Sequence, residues 1–415
     1  MTTHDLSDVP AAPSLLAYAH ERTEPVLREA VGALQPELRR VCGYHFGWTR
    51  PDGSPTYGVT PGPYPHAALA LHAAGAGEPE RDGRAPEDST AAALPGAAAV
   101  ELVHNWAALH DDVMDGEALR RGRSAVWAVY GTGWAVLAGD ALLGAATRCL
   151  LLSGEPVEAE GPEAGPEGAG PDGPRAGPDG TEPTAAQDLS AAAQGLAATG
   201  APHGAATGEG EEAARAERAA VLRMLTRTTS RLISGRSAEL ALRRRAPEGI
   251  SVEEYAAVAA ARTSSLLECA LAGGALLGGA DERVVETLTR AGHHLGIAVQ
   301  AARDIEDLWS GTGLSGRPVM SGLREGGPSL PLIAALRAGN PAARTLAQSL
   351  GGGPACPPPP DELADLIENA GGRAAAHEIS AWQLSEAYAQ LDKAALPPAS
   401  HAALRALFRH TVTRA

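Results

Sequence analysis

Residues 100–127 join an apolar segment to a dense cluster of charges, in the sequence VELVHNWAALHDDVMDGEALRRGRSAVW. The apolar part predicts a buried helix, and Asp111, Asp112 and Asp115 stand at its end. Positions i and i+4 of a helix share a face, so Asp111 and Asp115 lie one turn apart, with Asp112 beside them. Because buried like charges repel one another, such a cluster is tolerable when a hard cation is bound.

The chemistry of this segment favours a metal and a phosphate. Carboxylate oxygens suit Mg²⁺, which keeps part of its water and takes phosphate oxygens as further ligands. Arg120 and Arg121 follow closely and carry the forked donors that bind phosphate. The segment therefore predicts a diphosphate held between Mg²⁺ and arginine side chains. The alternative is a solvated acidic helix end followed by a basic turn.

A second acidic pair, Asp304 and Asp307, ends the segment GIAVQAARDIEDLW, and Gln300 lies one turn before Asp304. The spacing places both acids on one helix face. Taken alone, such a pair fits a solvated face better. Together with the first cluster it predicts the opposite wall of a metal site, since helical bundles build such sites from facing helices.

Composition limits the fold and the partners. The chain of 415 residues carries a formal net charge of −16, which argues against nucleic acid as a partner. Alanine is abundant and aromatic residues make up only 4%, which favours an all-α fold. The N-terminus lacks the regions of a signal peptide, and we expect no apolar run to reach the length of a membrane span. These features predict a cytoplasmic protein.

Hydrophobic periodicity and breaker residues predict most of the helices. Ser251 and Glu254 have the spacing of a capping box that starts a helix. Two final helices are expected to fill residues 361–413. The predicted helices before them cover residues 14–40, 93–115, 124–152, 211–244, 252–279 and 282–309, with others starting near Ala67 and Pro331.

Residues 154–210 differ from the rest of the chain, beginning GEPVEAEGPEAGPEGAGPDGPRAGPDGTEP. A segment so rich in Gly, Pro, Ala and Glu cannot offset its ordering entropy and is predicted to be disordered. The segments on either side are helical and apolar, so we expect an insertion within a single domain of residues 1–415. It is either a tolerated surface loop or a tether that docks a protein partner or shell.

The charged segment resembles a known family. HNWAALHDDVMDGEALRRG is similar to the first aspartate-rich motif of the trans-type polyprenyl diphosphate synthases, in which DDxxD is followed by two arginines. Further stretches resemble the family's later motifs in the same order. They are GDALL at 139–143, GRSAE at 235–239, ARTSSLL at 261–267 and VQAARDIED at 299–307.

The resemblance implies a large helical bundle with a central apolar cavity, assembled as a homodimer. It implies head-to-tail condensation of an allylic diphosphate with isopentenyl diphosphate, giving a short-chain product. Mg²⁺ would be held by two acidic walls, consisting of Asp111, Asp112 and Asp115 on one side and Asp304 and Asp307 on the other.

The resemblance also assigns the substrate contacts. Arg120 would hold the allylic diphosphate and Arg121 the isopentenyl diphosphate. Thr263 and Gln300 would line the pocket near the allylic cation, and Arg262 would replace a lysine of the family. The implied catalytic set is Asp111, Asp112, Asp115, Arg120 and Arg262.

Trp106 lies five residues before Asp111. A bulky ring there would block a growing prenyl tail and keep the product short. Alternatively, Trp106 is a core aromatic without that role.

The chain also departs from the family pattern. Pro63 and His66 stand where the family places a lysine and an arginine for isopentenyl diphosphate. Arg303 replaces the first aspartate of the second motif, and Arg236 and Glu239 replace a glutamine and an aspartate. These changes leave two alternatives open: a class I terpene cyclase or diphosphate lyase of the same fold, or a catalytically impaired regulatory or scaffold subunit.

Overall fold

A computed structural model of the chain describes residues 11–56, 63–76, 86–152, 208–309, 320, 322, 327–351 and 359–413. These residues are almost entirely helical, apart from one two-stranded hairpin and one isolated bridge. The all-α prediction is therefore confirmed. One compact unit takes Met1–Ser153 and Ala216–Ala415. The predicted disordered insertion lies outside the described residues, except for its last three positions.

The first half of the chain contains the helices and the hairpin that carry the first charged motif. In order they are α1 Ala12–Gly32, α2 Pro36–Phe46, α3 Pro65–Ala74, α4 Pro86–Asp115, β1 Leu119–Arg120, β2 Arg123–Ser124, α5 Val126–Tyr130 and α6 Thr132–Leu151.

The second half is helical throughout its described part. It contains α7 Gly208–Leu242, a 3₁₀ turn at Pro247–Gly249, α8 Val252–Ala259, a π-helical segment at Ala260–Ser264, α9 Ser265–Leu277, α10 Glu282–Trp309, α11 Leu330–Arg337, α12 Pro341–Gly351, α13 Pro360–Asn369, α14 Gly372–Lys393 and α15 Pro398–Thr413.

Local sequence signals set several helix ends. The Ser251 hydroxyl accepts from the Glu254 amide and the Glu254 carboxylate accepts from the Ser251 amide, so the predicted capping box is present. The prediction of two helices over 361–413 is wrong, because three occupy this region. Gly371 adopts φ 90°, a left-handed conformation that glycine takes at no steric cost, and it separates α13 from α14.

The core depends on small residues that let helices approach closely. α9 is buried along almost its whole length and packs against α3, α4 and α10. A Cβ added at Gly274 would lie 2.0 Å from the Ala70 carbonyl oxygen, and one at Gly278 would lie 2.1 Å from that of Ala74. These two glycines, one turn apart, therefore set the distance between α9 and α3.

One helix corrects the expectation about membrane spans. Among the described residues, α6 is long and apolar enough to cross a membrane by length and composition alone. Core helices of soluble proteins can have the same length and hydropathy, and α6 packs one face against α4.

We predict that Gly274→Ala destabilises the protein by about 3 kcal/mol, because the new methyl group would meet backbone that cannot move aside. The neighbouring Gly273 is the matched control. Its added Cβ would lie 3.3 Å from a Val221 methyl, so Gly273→Ala should change the free energy of unfolding by less than about 1 kcal/mol. Urea denaturation of both variants measures the difference, and equal losses would contradict this account of the packing.

Candidate active site

The hairpin after α4 presents the two consecutive arginines. Its strands pair Leu119 with Ser124 and Arg120 with Arg123, leaving a two-residue loop. Both loop residues have positive φ, 51° at Arg121 and 70° at Gly122, as a type I′ turn requires. A side chain in the left-handed region costs about 1 kcal/mol or more, and such strain is concentrated at functional sites.

Arg120 turns back onto the acidic motif. Its Nε and one terminal nitrogen donate to the two Asp112 carboxylate oxygens at 2.6 and 2.7 Å. The same terminal nitrogen also donates to the Ala108 carbonyl at 3.2 Å. Asp112 is only 3% exposed, so this two-pronged ion pair compensates for the removal of the carboxylate from water.

Asp111 and Asp115 meet one guanidinium, in agreement with their predicted position on a common helix face. Arg236, from α7, places Nε 3.4 Å from Asp111 Oδ1 and donates through a terminal nitrogen to Asp115 Oδ1. The Asp115 side chain is 3% exposed and that of Asp111 is 22% exposed. The acids therefore do not face bulk water.

Two further arginines complete the cluster. Arg262 donates to Asp111 Oδ2 at 3.0 Å, and Arg243 lies 3.1 Å from Asp115 Oδ1. Glu239 pairs with all three arginines of the cluster, namely Arg236, Arg243 and Arg262. Three carboxylates thus face three guanidiniums, and these six groups have no net charge.

A π-helical segment positions the next functional side chains. Arg262 and Thr263 lie within Ala260–Ser264, between α8 and α9. Such single π turns are frequent at functional sites. A Cβ at Gly235 would lie 2.7 Å from that of Ala261, so a glycine on α7 allows the close approach that brings Arg236 beside Arg262.

The second acidic motif lies next to this segment. Thr263 donates to Gln300 Oε1 at 2.8 Å, and Gln300 Nε2 donates to Asp304 Oδ1 at 2.9 Å. Asp304 Oδ2 also accepts from the Tyr255 hydroxyl and the Leu330 amide. Burial raises the pKa of Asp304 to about 6. Asp307, further along α10, accepts from the Gly322 amide at 3.1 Å.

Tyr255 lies beside the second acidic motif and close to charges of the first cluster. Its hydroxyl donates to Asp304, while the charges of Glu239 and Arg262 act on the same phenol. Arg262 in turn contacts Asp111. Residues of both motifs therefore lie within electrostatic reach of the same phenol. Sequence reasoning did not identify Tyr255, because its position on α8 has no motif spacing to either acidic pair.

A second group of side chains surrounds His104, which sequence reasoning also missed. Its ring centre lies 4.5 Å from that of His66. Burial lowers the pKa of His104 well below its ordinary value, and the nearby charges of His66, Arg121 and Arg303 lower it further. His104 lies seven residues, or two helical turns, before Asp111, and this spacing could have indicated a shared face.

Glu101 organises this side of the site. It is 1% exposed, and its Oε1 accepts from the amides of His66 and Ala67 at 2.9 and 3.0 Å. The carboxylate thereby caps the start of α3, where N–H groups lack helical partners. His66 Nδ1 has no hydrogen-bond partner. Pro63 is exposed.

Trp106 lies in the hydrophobic core and is 6% exposed. Its ring meets the His110 ring edge-on at 5.6 Å. A Cβ at Gly139 would lie 3.4 Å from the indole, so Trp106 packs towards α6. Its role in limiting product length stays a prediction.

The donor set of the first motif suits a hard cation. Asp111 Oδ1 and Asp115 Oδ1 point at one positive group, the Arg236 guanidinium, which occupies the position of a cation. Within the described residues, no three histidine, cysteine, aspartate or glutamate side chains are grouped as a ready-made metal site. The carboxylate oxygens are of the type that Mg²⁺ prefers, but guanidiniums hold them in this structure.

The order of these motifs and the bundle around them match known proteins. The polyprenyl synthetase family profile matches residues 65–159 and 206–366. The chain belongs to this family. It is 33% identical over 328 residues to the geranylgeranyl diphosphate synthase of Mycobacterium tuberculosis, covering 79% of this chain and 73% of that relative.

Two other relatives agree. The (2E,6E)-farnesyl diphosphate synthase of Mycobacterium bovis is 31% identical over 317 residues, covering 76% of this chain and 68% of the relative. The crystal structure of a polyprenyl synthetase from Streptomyces coelicolor A3(2) superposes with a TM-score of 0.72 at 32% identity. That alignment covers 96% of this chain and 99% of the other.

We predict that Arg120→Met lowers the free energy of unfolding by about 3 kcal/mol, since it leaves the buried Asp112 carboxylate without its two-pronged partner. The double variant Asp112→Leu/Arg120→Met should recover part of that loss, because it removes both charges. Arg290→Met is the control. Arg290 pairs with Glu286 on an exposed helix face, so its loss should cost less than about 0.5 kcal/mol. Similar losses for the two single variants in urea denaturation would show that Asp112 does not depend on Arg120.

Proposed function

We propose that this protein is a short-chain prenyl diphosphate synthase, which condenses an allylic diphosphate head-to-tail with isopentenyl diphosphate. The observation that carries the proposal is the end of α4, where the acids of the first motif form ion pairs with the arginines of the hairpin and of α7. The names of the relatives, geranylgeranyl and farnesyl diphosphate synthases, support this activity and a short product.

The metal assignment follows from the same residues. Members of this family use a divalent metal, and Asp111, Asp112 and Asp115 offer carboxylate oxygens for it, with Asp304 and Asp307 on the second wall. Bound Mg²⁺ would supply Lewis-acid charge to the departing diphosphate. Asp112 gives both of its oxygens to Arg120, whereas Asp111 Oδ1 and Asp115 Oδ1 face the same Arg236 guanidinium, so these two oxygens would receive the ion in its place.

In the reaction, the bond between C1 of the allylic group and its diphosphate oxygen breaks, and the electron pair leaves with diphosphate. Arg120 and Arg262 would stabilise this developing negative charge with fixed donors. The isopentenyl double bond then forms a bond to the allylic C1. The proton lost to create the new double bond passes to the released diphosphate.

The network around the second wall would shape the pocket for the allylic cation. Thr263 and Gln300 are fixed by their mutual hydrogen bond and by the bond from Gln300 to Asp304. Their oxygens carry partial negative charge, which would stabilise a nearby carbocation without adding a nucleophile of high reactivity. The π-helical segment would therefore orient the Thr263 side chain towards the allylic cation.

Isopentenyl diphosphate would bind on the His104 side. Arg121, an exposed residue of the hairpin loop, supplies a positive charge there, and desolvation and the charge of Arg120 lower its pKa. The charges of Arg120 and Arg303 also reach His104. Arg303 would thus replace part of the positive charge that the family draws from the positions of Pro63 and His66.

We predict that the purified protein with Mg²⁺ elongates geranyl or farnesyl diphosphate when isopentenyl diphosphate is present. Asp111→Asn should lower kcat/KM at least a hundredfold, because one of the acids that face the catalytic cation loses its charge. Asp365→Asn, at an exposed acid on α13, should leave the rate unchanged. Product analysis by mass spectrometry measures chain length.

Each other result would replace the proposal with a specific alternative. Diphosphate release without isopentenyl diphosphate would indicate a cyclase or lyase. Complete inactivity that is relieved only by a second synthase would indicate a regulatory subunit.

We also propose a cytoplasmic homodimer in which α6 forms the interface. Trp134, Leu137 and Leu151 lie along one face of α6 and are 37%, 54% and 57% exposed. Their spacings of three and fourteen residues place them along one stripe, and an exposed apolar stripe favours association. Docking through residues 154–210 stays a prediction, because this segment lies outside the described residues except for its last three positions.

Leu137→Glu should convert the dimer to a monomer, since it would bury a charge at the centre of the stripe. Trp382→Glu is the control, because this exposed ring lies on α14. Sedimentation velocity distinguishes the species. If Leu137→Glu remains dimeric, α6 is not the interface.

A further inference from the structure

Arg236 is a buried arginine surrounded by acidic side chains. Its side chain is 8% exposed, and it contacts Asp111, Asp115 and Glu239. Its Nε is buried and has no hydrogen-bond partner, although it points at Asp111 Oδ1 from 3.4 Å. The guanidinium is therefore enclosed by carboxylates with one donor unused.

The atoms that Arg236 contacts are those that a metal would need. Mg²⁺ binds oxygens at about 2.1 Å in nearly ideal octahedral geometry. To bind both acids, the ion would take Asp111 Oδ1 and Asp115 Oδ1, which now face the guanidinium. Two cations cannot share this position at close range without strong repulsion.

Arg236 keeps one acidic partner when a metal binds the two aspartates. Its terminal nitrogen donates to Glu239 Oε2 at 2.9 Å, and Glu239 lies one turn away on the same helix. Arg262 contacts the other oxygen of Asp111, Oδ2, and Arg243 lies 3.1 Å from the same Asp115 Oδ1, so both acids keep a cation beside them. Displacement of Arg236 therefore breaks two ion pairs and keeps a third.

From this geometry we propose that Arg236 is a built-in cation that competes with the divalent metal for Asp111 and Asp115, so that the metal loads tightly only together with a diphosphate. The incoming diphosphate would supply the negative partner that Arg236 loses. This inference rests on the proposed function, since it assumes that Asp111 and Asp115 are metal ligands. It makes Arg236 a residue that sets the order of binding.

Mn²⁺ binding, measured by the loss of the free-ion electron paramagnetic resonance signal, tests the proposal without turnover. Wild-type protein should bind Mn²⁺ weakly alone and at least tenfold more tightly with inorganic pyrophosphate. Arg236→Gln should bind Mn²⁺ alone at least tenfold more tightly than wild type. Arg231→Gln is the matched control on the same helix, because Arg231 pairs with Glu268, and its affinity should equal that of wild type.

Equal Mn²⁺ affinity in wild type and Arg236→Gln, measured without pyrophosphate, would overturn the proposal. A lower melting temperature in Arg236→Gln with no gain in affinity would assign Arg236 a purely structural role, and so would also overturn it. If Arg236→Gln does not fold, Arg236→Lys takes its place. The lysine ammonium cannot pair with two carboxylates at once as the forked guanidinium does. Arg236→Lys should therefore bind Mn²⁺ alone at least threefold more tightly than wild type.

The variant Arg236→Gln/Asp111→Asn distinguishes a failure of the Arg236 competition from a failure of the metal assignment. It should lose the tight site that Arg236→Gln gains. If it loses a Mn²⁺ site that wild type and Arg236→Gln hold with equal affinity, only the competition is wrong. If all three proteins bind Mn²⁺ alike, Asp111 is not a metal ligand and the metal assignment of the proposed function fails with it.

Discussion

The removal of three carboxylates from water at the end of α4 is the constraint on which the site depends. Asp112 and Asp115 are almost fully buried, and an isolated ionised carboxylate in such a position is costly. The chain supplies a guanidinium to each acid from a different element: the hairpin holds Asp112, α7 holds Asp115, and the π-helical segment holds Asp111. The electrostatic requirement of one helix end thus determines what three other elements must present.

Close packing makes this convergence geometrically feasible. Glycines remove the side chains that would keep helices apart, at Gly274 between α9 and α3 and at Gly235 between α7 and the π-helical segment. The second contact matters most for the site, because Arg236 and Arg262 must share Glu239. A bulky residue at position 235 would separate these two arginines and would leave Asp111 with fewer cations. The electrostatics of the site therefore depend on the close packing of the helices that carry it.

The parts of the fold that follow from local chemistry were predictable from the sequence. The shared face of Asp111 and Asp115 follows from helical spacing, and the capping box at Ser251 follows from hydrogen bonds within four residues. The partnership of Arg236 with Asp115 spans 121 positions, so no periodicity encodes it. The third helix within residues 361–413 was missed although its signal is local, because Gly371 takes the left-handed conformation that separates α13 from α14.

The departures from the family pattern change the formal charge at four positions. Pro63 and His66 stand where the family has a lysine and an arginine, two side chains of fixed positive charge. Arg236 adds one positive charge in place of a glutamine, and Arg303 changes the charge by two in place of an aspartate. Over these four positions the change is a gain of one positive charge. A site that had merely decayed would lose charged groups without compensation. Here Arg236 pairs with Asp111 and Asp115, and the charge of Arg303 reaches His104, so the protein itself restores positive charge beside both groups; under the proposed function, that charge would serve to bind diphosphate.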